Sequence, residues 1–233
     1  MATQNTTTWG RCGPATQHAE PDVSEGLPKR GPRGRKRWLA ALAAWAGTSA
    51  FAGTVTVEVA DATGKPLSDA VVFLESSDAR KLVRPMPAQE IAQEKRQFLP
   101  GVLAITVGTE VQFPNRDSIR HHVYSFSPAK KFELKLYTGR PANPVVFDQP
   151  GVVVLGCNIH DQMVGWVVVV DTPYLGQSSA SGQASLTGVS PGTYKLRSWH
   201  ARLPVGAPAQ EQSLVVPPSG DVKAVVRMAG LAP

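Results

Sequence analysis

Between Phe98 and Val170 the chain is a succession of short apolar runs, each closed by a turn residue and none with the period of a long helix. Residues 102–107 (VLAITV) stop at Gly108-Thr109, and residues 110–113 (EVQF) stop at Pro114-Asn115. Residues 122–126 (HVYSF), 132–137 (FELKLY), 145–147, 151–155 (GVVVL) and 164–170 (VGWVVVV) continue the series. Runs of this length, rich in Val, Tyr and Phe and separated by Gly, Pro and Asn, read as strands. Seven of them at this spacing suit a Greek-key sandwich or barrel. The 21 glycines and 20 prolines supply the turns. The fold class expected is all-β.

The flanks extend the pattern. Residues 54–58 (TVTVE) and 70–74 (AVVFL) are strands around a turn at 61–66, and 76–90 is a polar connection. After Asp171, Thr172-Pro173 breaks the chain, and strands are expected at 183–186, 193–199, 211–216 and 221–228. This tail holds too few strands for a sandwich of its own. It would be completed by 54–74, which gives a small second β-sandwich from 53–85 with 172–233 and a central domain at 86–171.

Charge is unevenly spread. Residues 1–52 hold seven of the 24 Lys and Arg and three of the 18 Asp and Glu. The remaining 17 basic and 15 acidic groups are too balanced for nucleic-acid binding. Residues 29–37 form a charged n-region, 38–45 (WLAALAAW) a short apolar segment, and Ala50-Phe51-Ala52 a small-residue cleavage site. The segment 29–52 therefore reads as a signal peptide. Its apolar run is well short of the roughly 20 residues of a membrane span, so no span is expected after cleavage and the expected location is periplasmic or secreted. Residues 1–28 are polar and patternless, and read as a disordered extension or one that precedes the true start. The two cysteines are Cys12 and Cys157. With Cys12 upstream of the cleavage site, Cys157 has no internal disulfide partner in an oxidising compartment.

Metal ligation would account for that thiol. Cys157, His160 and Met163 follow a Val-rich strand and lie three residues apart, so one loop can fold them around a point. A second imidazole comes from His121 or His122, which occupy opposite faces of their strand. Two imidazoles and a thiolate with a weak thioether form a copper set, whereas structural zinc takes Cys and His without Met. One copper ion is expected.

The chain over about 88–171 resembles the cupredoxins, in particular the plastocyanin and amicyanin-like branch. Phe113-Pro114-Asn115-Arg116-Asp117-Ser118-Ile119-Arg120-His121-His122-Val123 follows that family's pattern of Asn, then Asp, then the ligand His, then an apolar residue two later. This register implies His121, Cys157, His160 and Met163 as ligands. It also implies that Asn115 braces the ligand loop near the Cys157 sulfur, and that His160 is the exposed ligand through which electrons pass. Residues 156–166 (GCNIHDQMVGW) look like bacterial methylamine utilisation proteins. Residues 61–72 and 188–194 resemble carboxypeptidase regulatory-like modules.

The function implied is a type 1 copper electron-transfer protein, not an enzyme, served by a c-type cytochrome or dehydrogenase. The alternative is a copper chaperone or storage protein without redox turnover. Lys130, Lys131, Lys135 and Arg140 form a basic cluster that reads as a solvated face or as a docking patch for an acidic partner. Trp166 reads as packing, and His200 as a polar contact.

Overall fold

The computed structural model describes residues 52–218 and 220–233. The signal segment, apart from Ala52, and the extension at 1–28 lie outside them. Strands β1 (Gly53–Asp61) and β2 (Val71–Glu75) come first, then helix α1 (Ser77–Leu82). Short strands follow: β3 (Gln89–Glu90), β4 (Ala92–Glu94), β5 (Gln97–Leu99), β6 (Val102–Thr106) and β7 (Thr109–Gln112). The middle of the chain is β8 (His121–Ser127), β9 (Lys130–Tyr137), β10 (Val145–Phe147), β11 (Gly151–Gly156) and β12 (Val164–Val170). The last five are β13 (Leu175–Gln177), β14 (Gln183–Val189), β15 (Gly192–Trp199), β16 (Gln210–Val216) and β17 (Val222–Met228).

Helix α1 departs from the expected featureless connection at 76–90. Its six residues are too few for an apolar period to show. Its cap is local: Ser76 Oγ accepts from Ala79 N at 3.0 Å, with Asp78 in the first turn and Arg80 and Lys81 in the last.

Two sheets, β6–β12–β11–β8–β9 and β10–β7–β3, enclose a core that includes Ile105, Phe113, Val123, Phe147, Val153 and Leu155. These sheets form a β-sandwich with Cys157 and Met163 in its core, the candidate metal-bearing half. Two further sheets, β14–β1–β17 and β13–β2–β15–β16, form the outer half. Here β1 lies between two C-terminal strands, antiparallel to β14 and parallel to β17.

The four consecutive valines of β12 join the two cores. Val167 and Val169 point into the metal-bearing core, Val168 and Val170 into the outer one, and all four are buried. A strand covered on both faces needs an unbroken apolar run, and β-branched side chains suit it. Strand β2 is likewise buried from Val71 to Leu74. Among the described residues no helix is long and apolar enough to cross a membrane.

Candidate metal centre

Antiparallel β11 and β12 end in register, Gly156 opposite Val164 and Leu155 opposite Gly165, so residues 157–163 form the loop that joins them. Gly156 also pairs with Tyr124 of β8, which brings the start of β8 beside the loop. Gly156 allows this approach, and Gly165 allows that of Phe98 on β5. A Cβ at Gly156 would lie 2.7 Å from the Tyr124 ring, and one at Gly165 3.0 Å from Phe98. The loop closes on itself as Met163 N donates to His160 O at 2.9 Å.

The structure brings His121, Cys157 and His160 together, with one donor atom from each all within 4.8 Å of one another. Cys157 Sγ is 3.9 Å from His121 Nδ1, and the two imidazole centroids are 5.0 Å apart. Metal–sulfur and metal–nitrogen bonds of roughly 2.3 and 2.0 Å at a trigonal angle would place two such atoms about 3.7 Å apart. Cys157 and Met163 are buried in the same core cluster. His160 Nδ1 is buried with no hydrogen-bond partner, a cost that a bound ion would remove. The donor set fits copper: soft sulfur and two imidazoles. Among the described residues this is the only group of three or more His, Cys, Asp and Glu side chains with metal-site spacing.

Asp117 determines which way His121 faces. Its Oδ2 lies 2.7 Å from His121 Nε2. The carboxylate accepts, so Nε2 carries the proton and Nδ1 presents a lone pair toward Cys157. Asp117 Oδ1 accepts from Lys95 N at 2.7 Å, and Oδ2 also accepts from Arg96 N at 2.9 Å. Burial would raise the Asp117 carboxyl, but the Arg96 amide, His121 and the Lys95 amide outweigh it and hold it below the usual range. Lys95 and Arg96, at φ 52° and 57°, form the β4–β5 turn in a conformation that costs non-glycine residues energy. One carboxylate thus ties a strained turn to a metal ligand. The sequence reading noted Asp117 only as part of a motif.

Asn115 takes a different part from the one implied by the family resemblance. Its Nδ2 donates to Ile119 O and Tyr137 O, both at 2.8 Å, and its Oδ1 accepts from Asp117 N at 3.0 Å. These bonds brace the turn that leads to His121 and dock it on β9, and they leave the amide no donor for the sulfur. Gln93 and Tyr137 were missed altogether. Tyr137 Oη donates to Phe113 O at 2.5 Å and accepts from Gln93 Nε2. Burial pushes the Tyr137 phenol up. Its alternating strand carried no sign of this role.

His122 lies on the face opposite His121, as expected, and is buried there, 4% exposed. It packs on Tyr124, with ring centroids 5.5 Å apart. The basic cluster is partly neutralised: Lys130 pairs with Asp148 at 2.9 Å and Arg140 with Glu90 at 2.6 Å. His200 is a polar contact, with Nε2 donating to Ser68 O and Nδ1 accepting from Arg202 N, both at 3.1 Å.

No family model and no curated protein matches the chain. Solved structures do. A Cu-containing nitrite reductase from Thermus scotoductus SA-01 is 27% identical over 38% of this chain and 23% of its own, with a TM-score of 0.34. A purple cupredoxin from Nitrosopumilus maritimus is 29% identical over 36% of this chain and 99% of its own, with a TM-score of 0.31. A reduced amicyanin variant is 23% identical over 42% of this chain and 98% of its own, with a TM-score of 0.33. The chain spans less than a quarter of the nitrite reductase and nearly all of the two small proteins. The copper assignment stands on His121, Cys157 and His160 themselves.

Proposed function

We propose that this chain is a type 1 copper protein of the periplasm that carries single electrons, cycling between Cu(I) and Cu(II). The observation that carries this reading is the convergence of one thiol and two imidazoles within 4.8 Å, His121 from the start of β8 and Cys157 and His160 from the β11–β12 loop. Bound copper supplies a one-electron couple. Cys157 offers the soft donor that favours the reduced ion, and His121 and His160 the imidazoles that favour the oxidised one. Met163, 1% exposed in the same core cluster as Cys157, would offer a thioether in place of an open, water-bearing position, which favours a carrier over an enzyme. Asp117 and the Asn115 turn hold His121 in place, so little need move when an electron arrives or leaves. His160 is the least buried of the three, which makes its edge the natural exchange point.

The partner on this reading is a c-type cytochrome or a periplasmic dehydrogenase. The likeness to methylamine utilisation proteins makes an amine dehydrogenase one donor to test. Lys131 and Lys135, both exposed, would steer an acidic partner, and the docking rate would then fall with added salt.

The test is the visible spectrum of the Cu(II)-loaded protein beside that of Cys157→Ser. An intense thiolate-to-copper band, present only with Cys157, supports the carrier. A colourless protein that still binds Cu(I) points to copper storage or delivery. A protein that binds no copper ends the reading.

A further inference from the structure

Between the outward face of the five-stranded sheet and the facing side of β2 and β15 lies a cleft of about 980 Å³. One wall is aromatic along β8 and β12, through Tyr124, Phe126 and Trp166. The opposite wall carries Phe73 and Trp199, and the loop at 203–209 closes one side through Val205. Trp166 and Trp199 face each other across it, with centroids 6.4 Å apart and planes tilted by 54°. A cleft of this size with aromatic walls from two sheets is of the kind that holds small organic molecules.

Two features indicate what fits. Phe126 is 77% exposed and Val205 89%, although His122, on the same face of β8 as Phe126, is covered. Large apolar groups are therefore left in water at the rim. The charges on the facing β15 side cancel. Arg197 pairs with Glu75 at 2.7 Å and with Glu211 at 2.9 Å, and Lys195 pairs with Glu211 at 3.0 Å. Two cations and two carboxylates satisfy one another and leave no net charge for a ligand to meet. Asp161, the remaining charged residue on the lining, is exposed at the end near the metal loop.

We propose that this cleft is a binding site for an uncharged, flat, fused-ring aromatic molecule. Aromatic rings favour offset and edge contacts, which the tilted indoles and the Tyr124 and Phe126 rings provide. Cys157 and Met163 line the inner end, so the bound ring would lie against the residues that hold the metal. The site is built from the protein's own walls and does not depend on copper being bound.

The test is titration of the full-length protein with N-phenyl-1-naphthylamine, an uncharged naphthalene whose emission rises in apolar surroundings. Saturable one-to-one binding is expected, with quenching of tryptophan emission that Trp166→Phe diminishes. Copper-loaded and chelator-treated protein should bind equally well, which separates this site from the copper assignment. Phe126→Ser combined with Val205→Ser should weaken binding about tenfold and leave the unfolding midpoint in place, because both side chains are already in water. Uptake that never saturates, or equal affinity in the rim double variant, would overturn the proposal. So would a loss of dimer mass in that variant with no change in probe affinity, since a second copy would then cover the cleft.

Discussion

The two halves of the molecule treat buried polar groups in opposite ways. Among the described residues the outer half leaves no buried side-chain nitrogen or oxygen orphaned. Ser178 Oγ donates to Leu67 O at 2.7 Å and accepts from Ala70 N at 2.9 Å, and Thr172 Oγ1 donates to Leu74 O at 2.7 Å. In the metal-bearing half Gln93 Oε1, Gln112 Oε1, both ring nitrogens of His122 and His160 Nδ1 are buried without hydrogen bonds, and among the described residues no other side-chain atom is in that state. His122 Nε2 lies 3.0 Å from Glu133 Oε1, but off the hydrogen-bonding direction. An orphaned buried polar atom costs about 1–3 kcal/mol. Such costs concentrate where a site is built to receive something, so the outer half reads as the stabilising partner and the inner half as the one that spends stability on a site.

The sharpest way to break that contrast is Cys157→Ser. It should abolish the visible copper band and leave the outer half's cooperative unfolding in place, checked by absorption and circular dichroism. Loss of both together would show that the halves are one unit. Next is Leu196→Ala, in the outer core at 1% exposure. It should cost about 2–5 kcal/mol in denaturant unfolding, with the copper spectrum unchanged.

Asp117→Asn is expected to lower copper affinity roughly 10- to 100-fold. The amide cannot hold His121 Nε2–H and both turn amides as a carboxylate does. Competition against a chelator measures it, and unchanged affinity would remove Asp117 from the site. Its effect on stability has a definite sign. The Asp117 carboxyl is held low in the folded state, so its contribution is present above the unfolded pKa of about 4 and is lost as pH falls through the folded value.

The smallest effect is that of His200 in the outer half. Its pKa is lowered, chiefly by burial, and Nδ1 must stay unprotonated to accept from Arg202 N. The unfolded imidazole takes a proton near pH 6.5 before the folded one does. His200 therefore stabilises above about 6.5, and that stability is lost as pH falls through the folded pKa. The midpoint of thermal unfolding should fall less between pH 7 and 5 in His200→Gln than in the natural chain. Equal slopes would show that His200 does not contribute.

Much of the site was legible because three of its donors lie within seven residues. Cys157, His160 and Met163 sit where a strand must turn, and a loop that short keeps its side chains close whatever the rest of the fold does. His121 needed a long-range guess, made from its spacing after Asn115. Asp117, Gln93 and Tyr137 were not assigned because their meaning lies in what they touch. Asp117 is 21 and 22 residues from the turn it braces, and Gln93 is 44 residues from Tyr137. A carboxylate, an amide and a phenol at those positions look like ordinary surface or strand residues. Alternation put His121 and His122 on opposite faces, as they are, but could not tell that the His122 face is covered. His122 is covered by Tyr124 and by Glu133 of β9, a cross-strand contact that no local pattern records.

The sequence by itself determined that the chain is all-β and where its longer strands run, though not the short β3, β4 and β13, because alternation, Val-rich runs and Gly and Pro act over a few residues. It also determined the chemistry of the metal loop, since that is a property of residue types at short spacing. Tertiary structure decided which strands pair, placing β1 between β14 and β17. It decided that β12 serves two cores, that His121 is aimed by Asp117, and that a cleft stands between the halves. These depend on contacts between residues far apart in the chain, where loop closure and packing, not local propensity, set the free energy.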